Sequence, residues 1–213
     1  IDTLVDYATR FGLGQKTGIE LSESTGGVGS PERSEALGQK WYEGNILNVA
    51  IGQDSTQVTP IQLANYIATL VNGGTRYSTH LLKEVKSNDF SQILYTYEPD
   101  AVETIEIKDE NLNAVKAGVL ALTTEGSVAK YFQDLPVQVG AKTGSAQVSA
   151  QTESNAVFVC FAPYDNPEIA MAIAVEHGGS GSELGAMAAE IMSYYFSAQE
   201  NRDDIPSENT LVR

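Results

Sequence analysis

The stretch Val137-Gln138-Val139-Gly140-Ala141-Lys142-Thr143-Gly144-Ser145-Ala146-Gln147-Val148 decides how this chain of 213 residues is read. Its small and β-branched residues predict a strand over 137–148. A Lys142-Thr143-Gly144 triplet stands inside that strand. Two further strands are predicted at 154–163 and 168–177. Between them Tyr164-Asp165-Asn166-Pro167 is turn chemistry, so the pair forms an antiparallel hairpin. A helix from about Ser182 follows, with Leu184, Met187, Ala188, Ile191, Met192 and Tyr195 at helical spacing. A helix that buries an apolar stripe on an antiparallel sheet is an α+β arrangement.

Upstream, residues 1–10 read as a short helix ending at Gly12 and Gly14. Residues 22–45 are rich in Gly, Ser and Glu and read as a long surface loop that contains Pro31. Thr59 and Pro60 open a helix as cap and first residue, with Ile61, Ala64, Ile67, Ala68 and Val71 on one face and Gly73-Gly74 at its end. Short β-prone pieces between Leu81 and Ile107 predict a small hairpin excursion. Another helix is expected from Asp109 to Gly126, with Leu112, Val115, Val119 and Leu122 buried.

The composition is that of a globular protein, 42% apolar and 19% charged. A net charge of −15 argues against a nucleic-acid partner and against docking to anionic lipid through a basic face. The one cysteine, Cys160, lies in Val157-Phe158-Val159-Cys160-Phe161 and reads as a buried strand thiol. There is no apolar run of the roughly 20 residues that would span a bilayer. The chain opens on Ile1-Asp2-Thr3 rather than on a signal peptide, so sequence upstream is expected in a parent protein. No His, Cys or carboxylate cluster has metal-ligand spacing, and no cofactor is expected.

Lys-Thr-Gly is shared by penicillin-binding proteins and serine β-lactamases. Here it has a Gly140-Ala141 lead, a Ser145-Ala146-Gln147 follow-on, a hairpin and a closing helix. Asn48-Val49-Ala50-Ile51-Gly52-Gln53, then Val58-Thr59-Pro60-Ile61-Gln62-Leu63-Ala64 and Asn72-Gly73-Gly74, add further matches. The chain therefore resembles the C-terminal part of the transpeptidase domain of a class B penicillin-binding protein, over about residues 7–196. One departure is Glu190, where the family pattern has a proline. On this resemblance residues 1–198 are the C-terminal portion of the domain and 199–213 a polar tail. The resemblance implies a five-stranded antiparallel sheet, of which this chain supplies three strands.

What the resemblance implies chemically is peptidoglycan D,D-transpeptidation through an acyl-serine, with covalent inhibition by β-lactams. Such chemistry needs a nucleophile, a base, oxyanion donors, and a cation with hydroxyls for the terminal carboxylate. Lys142 supplies the ammonium and Thr143 a hydroxyl donor. Gly144 leaves room for a ligand backbone. The backbone N–H of Ser145 is the implied oxyanion donor, and its hydroxyl also reaches the carboxylate. Gln147 is expected on the side of Ser145, and Lys142 and Gly144 on that same ligand-facing strip. Lys142 and Ser145 are thus the catalytic candidates, and Thr143, Gly144 and Gln147 the substrate-binding ones. The implied partners are D-Ala-D-Ala stem peptides, β-lactams and the N-terminal half of the same domain. The implied location is the extracytoplasmic face of a bacterial membrane, with the anchor outside this chain.

The family's serine motif and its Ser-x-Asn motif have no counterpart in the expected place. Ser127-Val128-Ala129-Lys130 has the serine-motif spacing but stands too close to Lys142, and Ser207-Glu208-Asn209 lies in the tail. The fragment alone is therefore expected to be inactive. Lys16-Thr17-Gly18 repeats the triplet in a loop-like setting and reads as structural. His177 reads as a strand-end turn residue, and His80 as structural or solvated. The rival readings are a β-lactamase or β-lactam sensor domain, and a non-catalytic scaffold.

Overall fold

The computed structural model describes residues 1–149 and 151–200, with side chains through residue 197. Its centre is the three-stranded antiparallel sheet β5 (Gly140–Ala146), β6 (Asn155–Ala162) and β7 (Ile169–Val175), in the order β5-β6-β7. Lys142 faces Val159, which in turn faces Ala172. Each strand is shorter than its predicted range. Polar or turn-forming residues at the ends, such as Gln147 and Pro163, leave the ladder.

The middle strand is apolar without alternation because both of its faces are covered. On one face Phe158, Cys160, Ala188 and Met192 are sealed from solvent. This layer comes from α6 (Ala129–Phe132), a 3-10 turn (Gly181–Leu184) and α7 (Gly185–Glu200). On the other face Val159 and Phe161 pack with Ile67, Leu63 and Val119. That layer comes from α4 (Pro60–Val71) and α5 (Asp109–Thr124). Burial pushes the Cys160 thiol up to about 12, as expected of a packed strand cysteine.

The remaining elements frame this sandwich. α1 (Asp2–Arg10) is the short helix expected at the start. The stretch read as a loop holds two short helices, α2 (Pro31–Ala36) and the start of α3 (Asn45–Ala50). α2 forms because the Ser30 hydroxyl accepts from the Arg33 N–H and Pro31 fits the first turn. The excursion between α4 and α5 is a nested pair of ribbons. β1 (Thr75–Tyr77) pairs with β4 (Ala101–Thr104), and β2 (Glu84–Lys86) pairs with β3 (Ile93–Thr96) inside it.

Two helical faces differ from their sequence patterns. Met187 and Ile191 of α7 are exposed, because Ala188 and Ala189 bring the helix close to the sheet and turn that flank outward. Val115 of α5 is also exposed, and the residue that α5 buries is Thr123. Thr59 caps α4 as expected, and Gln62 completes a capping box with it. Gln62 goes further: its buried amide donates to Gln15 O at 2.6 Å and Thr25 O at 2.9 Å, tying two loops to the helix. The tail expected over 199–213 lies, beyond Glu200, outside the described residues, as does Ser207-Glu208-Asn209.

The second triplet is a structural bolt. Buried Thr17 donates through its N–H and hydroxyl to Glu23 Oε2 at 2.8 and 2.6 Å, and Gly18 N–H donates to Glu23 Oε1. Thr79 closes the bolt by donating to the Thr17 hydroxyl at 2.6 Å. Partial burial alone would raise the Glu23 carboxyl, but these hydrogen bonds and the charge of Lys16 hold it below its ordinary value of 4.5. A depressed carboxylate stabilises the fold above that ordinary value, and the contribution is lost as pH falls through the depressed one. Wild-type protein should therefore melt above Glu23→Gln at neutral pH, with the gap closing on acidification in a pH series of thermal melts. A gap that is constant with pH would refute this account.

Candidate active site

The strand β5 is held at both ends and open along one edge. At its start, the Thr123 hydroxyl is shared between Leu120 O at 3.0 Å and Val139 O at 2.5 Å, pinning the approach to the strand against α5. At Gly140 an added Cβ would fall 2.4 Å from the Phe161 ring, so this glycine lets the two strands nest. At the far end, the Gly181 N–H donates to Ser145 Oγ at 3.1 Å. Gly181 sits so tightly on the strand that a Cβ there would fall 2.3 Å from Gly144 O.

Register fixes where each candidate side chain points. Directly opposed residues of an antiparallel pair share a face. Lys142 and Gly144 oppose Val159 and Val157, on the face covered by α4 and α5. Thr143 and Ser145 oppose Phe158 and Ala156, on the face covered by α7. The single strip expected for Lys142, Gly144, Ser145 and Gln147 is thus wrong, because side chains an odd number of residues apart in a strand face opposite sides. What the residues share is the free edge of β5. Gln147 is not on the strand at all: β5 ends at Ala146, and the exposed Gln147 amide turns toward Ser149 O.

Lys142 is exposed, and its ammonium donates to Thr143 O at 2.6 Å. Ser145 is engaged twice. Its hydroxyl accepts from Gly181, and its carbonyl accepts from the Gln53 side chain at 3.4 Å, reached from outside the sheet. Gly144 needs no special space within this chain. An added Cβ would meet only Val157, at 3.6 Å and beyond.

Gln53 and Gly181 are the site neighbours that motif reading missed. Gln53 lies at the end of the Asn48–Gln53 match and Gly181 in a glycine-serine run after β7, but neither position announces a contact with β5. The remaining candidates have these settings. Val128 is wholly buried in the core, and the Lys130 ammonium lies over the Tyr131 ring at 4.8 Å. His177 follows β7 with φ 53, and its N–H donates to Asn155 Oδ1. His80 stacks on Tyr97 with ring centres 3.5 Å apart. Among the described residues no group of three or more His, Cys, Asp or Glu could hold a metal ion, and no helix is long and apolar enough to cross a membrane.

Comparison with known proteins places these features in a family. The family model for the penicillin binding protein transpeptidase domain matches residues 1–193. The peptidoglycan D,D-transpeptidase MrdA of Escherichia coli K12 is 29% identical over 231 residues, covering all of this chain and 36% of that protein. Two solved structures are similar. Pseudomonas aeruginosa PBP2 in complex with WCK 5153 has a TM-score of 0.75 and 32% identity, over 92% of this chain and 44% of that one. Helicobacter pylori PBP2 in complex with MreC has a TM-score of 0.75 and 26% identity, over 93% of this chain and 36% of that one. The chain thus spans only about a third of the length of curated relatives such as MrdA.

Proposed function

Since the chain belongs to the penicillin-binding-protein transpeptidase family, we propose that it forms one wall of a D,D-transpeptidase active site that cross-links peptidoglycan stem peptides. The carrying observation is the free edge of β5. In an antiparallel ladder a residue either exchanges both its hydrogen bonds with its partner or turns both away. The Ser145 carbonyl is met by Gln53 from outside the sheet, so its N–H lies on the open edge too. That N–H is the oxyanion donor. A stem peptide ending in D-Ala-D-Ala lies along the edge, with its carboxylate near the Lys142 ammonium and the Thr143 and Ser145 hydroxyls. Gly144 offers no side chain against it, and Gln147 borders the ligand from the following loop.

The step is acyl transfer. A serine hydroxyl adds to the penultimate D-Ala carbonyl, its proton passes to a base, and negative charge develops on the carbonyl oxygen facing the Ser145 N–H. Collapse expels the terminal D-Ala amine, which takes up a proton. An amine of a second stem peptide then displaces the serine. The nucleophile belongs to a part of the parent protein outside this chain, and β-lactams acylate the same serine. The N-terminal half of the domain is the implied structural partner. Exposed Leu47 and Ile51 on and beside α3 support such a neighbour. The family relationship supports a location at the extracytoplasmic face of the membrane, with the anchor elsewhere in the parent.

Intact-protein mass spectrometry with and without a penicillin tests this reading. The parent protein is expected to gain one drug-sized mass, and this chain alone to gain none. An adduct on this chain would overturn the assignment and return Ser127 as the nucleophile. Rapid loss of the adduct from the parent would instead favour a β-lactamase, and no adduct on the parent a non-catalytic scaffold.

A further inference from the structure

Gln53 reaches the site from a loop built to hold it there. Gly52 and Asp54 on either side have φ of 79 and 67, and Asp54 is one of the few non-glycine residues of the described chain in that region. The strained turn is fastened on all sides. Asp54 accepts from Asn45 Nδ2 at 2.5 Å and from the Ser55 N–H at 2.7 Å, and the Gln53 N–H donates to Asn48 O at 2.9 Å. Arg33 clasps the next residues, donating to Ser55 O at 2.6 Å and to Gln57 Oε1 at 3.1 Å. Strain maintained by so many partners marks a position that the surrounding structure enforces. Its result is one carboxamide laid against the edge of β5, where it donates to Ser145 O.

A primary amide is chemically a short piece of peptide, and it occupies the slot that the N–H of a pairing strand would take. We propose that Gln53 is an edge guard: it fills the Ser145 carbonyl slot in the empty site, and an extended peptide ligand must displace it to pair with β5. This rests on β5 being the ligand-binding edge, and it adds the residue that sets how readily that edge accepts a strand. A guard also blunts the aggregation hazard of an open edge. Release of one modest hydrogen bond sets the size of the effect, about five-fold in affinity.

The test uses this chain as wild type and Gln53→Ala, labelled for NMR, with two soluble peptides of equal length: a stem peptide ending in D-Ala-D-Ala and its counterpart ending in L-Ala-L-Ala. The Ser145 carbonyl carbon is expected to shift upfield in Gln53→Ala, reporting loss of the hydrogen bond whatever the ligand. The stem peptide is expected to bind the variant about five-fold more tightly than wild type. Asn45→Ala, which removes the side-chain donor to Asp54 and loosens the loop but keeps the Gln53 carboxamide, should give a smaller gain. An unmoved carbonyl signal, unchanged or weaker peptide binding, or no measurable binding of either peptide to Gln53→Ala overturns the guard. Equal tightening of both peptides, without preference for the D-Ala-D-Ala end, supports the guard while counting against the stem-peptide reading.

Discussion

Alanine in place of Phe158 is expected to cost the fold about 3–5 kcal/mol, the range for emptying a fully buried aromatic site. Phe158 is wholly buried in the middle strand, and its ring is parallel to that of Phe132, with centres 6.2 Å apart. Its neighbours come from three elements. Met192 and Ala188 belong to α7, Phe132 to α6, and Ala156 and Cys160 to the same strand. Collapse into the void would have to move a helix that is itself seated on the sheet, so relaxation recovers little. Domains of this kind have about 5–15 kcal/mol in total, so the variant should melt roughly 10 °C or more below wild type, if it folds at all. Thermal unfolding followed by circular dichroism reads this directly. A fall of only a degree or two would mean that the two halves of this core close up independently.

The second large effect concerns Gly181. A Cβ at this position would lie 2.3 Å from Gly144 O, 2.4 Å from Val157 O and 2.8 Å from Gly144 N. All three atoms are backbone of paired strands and cannot swing aside as a side chain would. Gly181→Ala must therefore lift the 3-10 turn, breaking the N–H bond to Ser145 Oγ, or push the edge of β5 outward. The expected cost is about 3 kcal/mol, the upper part of the overpacking range. Gly144→Ala is the matched control. Its Cβ points to the opposite face and meets only Val157, at ordinary contact distance, so its melting point should stay within a few degrees of wild type. Equal losses in the two variants would show that the turn is not a fixed stop for the strand. The asymmetry also bears on function. Packing inside this chain does not demand glycine at 144, which is what the proposed approach of a ligand along this edge requires.

The sheet was legible because period and punctuation agreed. A continuous apolar run at Val157–Phe161 with turn residues at 164–167 marked a buried strand in a hairpin, while the residue-by-residue register is set by the folded sheet. Thr59 and Pro60 marked α4 for the same reason. The sequence was silent where tertiary contacts overrule local pattern. Met187 and Ile191 have the spacing of core residues, but the small side chains at 188 and 189 decide which side of α7 meets the sheet. α2 was hidden in a loop-like composition, although its Ser30-Pro31 start was visible. For the site, the Lys142–Ser145 motif located the edge strand. Alternation along that strand already put Lys142 and Ser145 on opposite faces, which the single-strip expectation overlooked. The contacts made by Gln53 and Gly181 join residues 92 and 36 positions apart from Ser145, and no spacing rule reaches that far.

The nested ribbons have a consequence for the history of the molecule and for its use. Thr75 and Thr104 face each other, so the chain leaves the body and returns to it at one point. Between them, above this two-strand stem, Thr79 and Leu81 are still tied to Thr17 and Glu20, and beyond these ties the inner hairpin is exposed along most of its length. A change of length in the inner hairpin would leave the register of β5, β6 and β7 untouched, because its strands form a separate sheet. The same geometry makes the tip around Ser87–Ser91 the natural port for splicing in a reporter, since an inserted domain there would load the stem and leave the edge of β5 undisturbed.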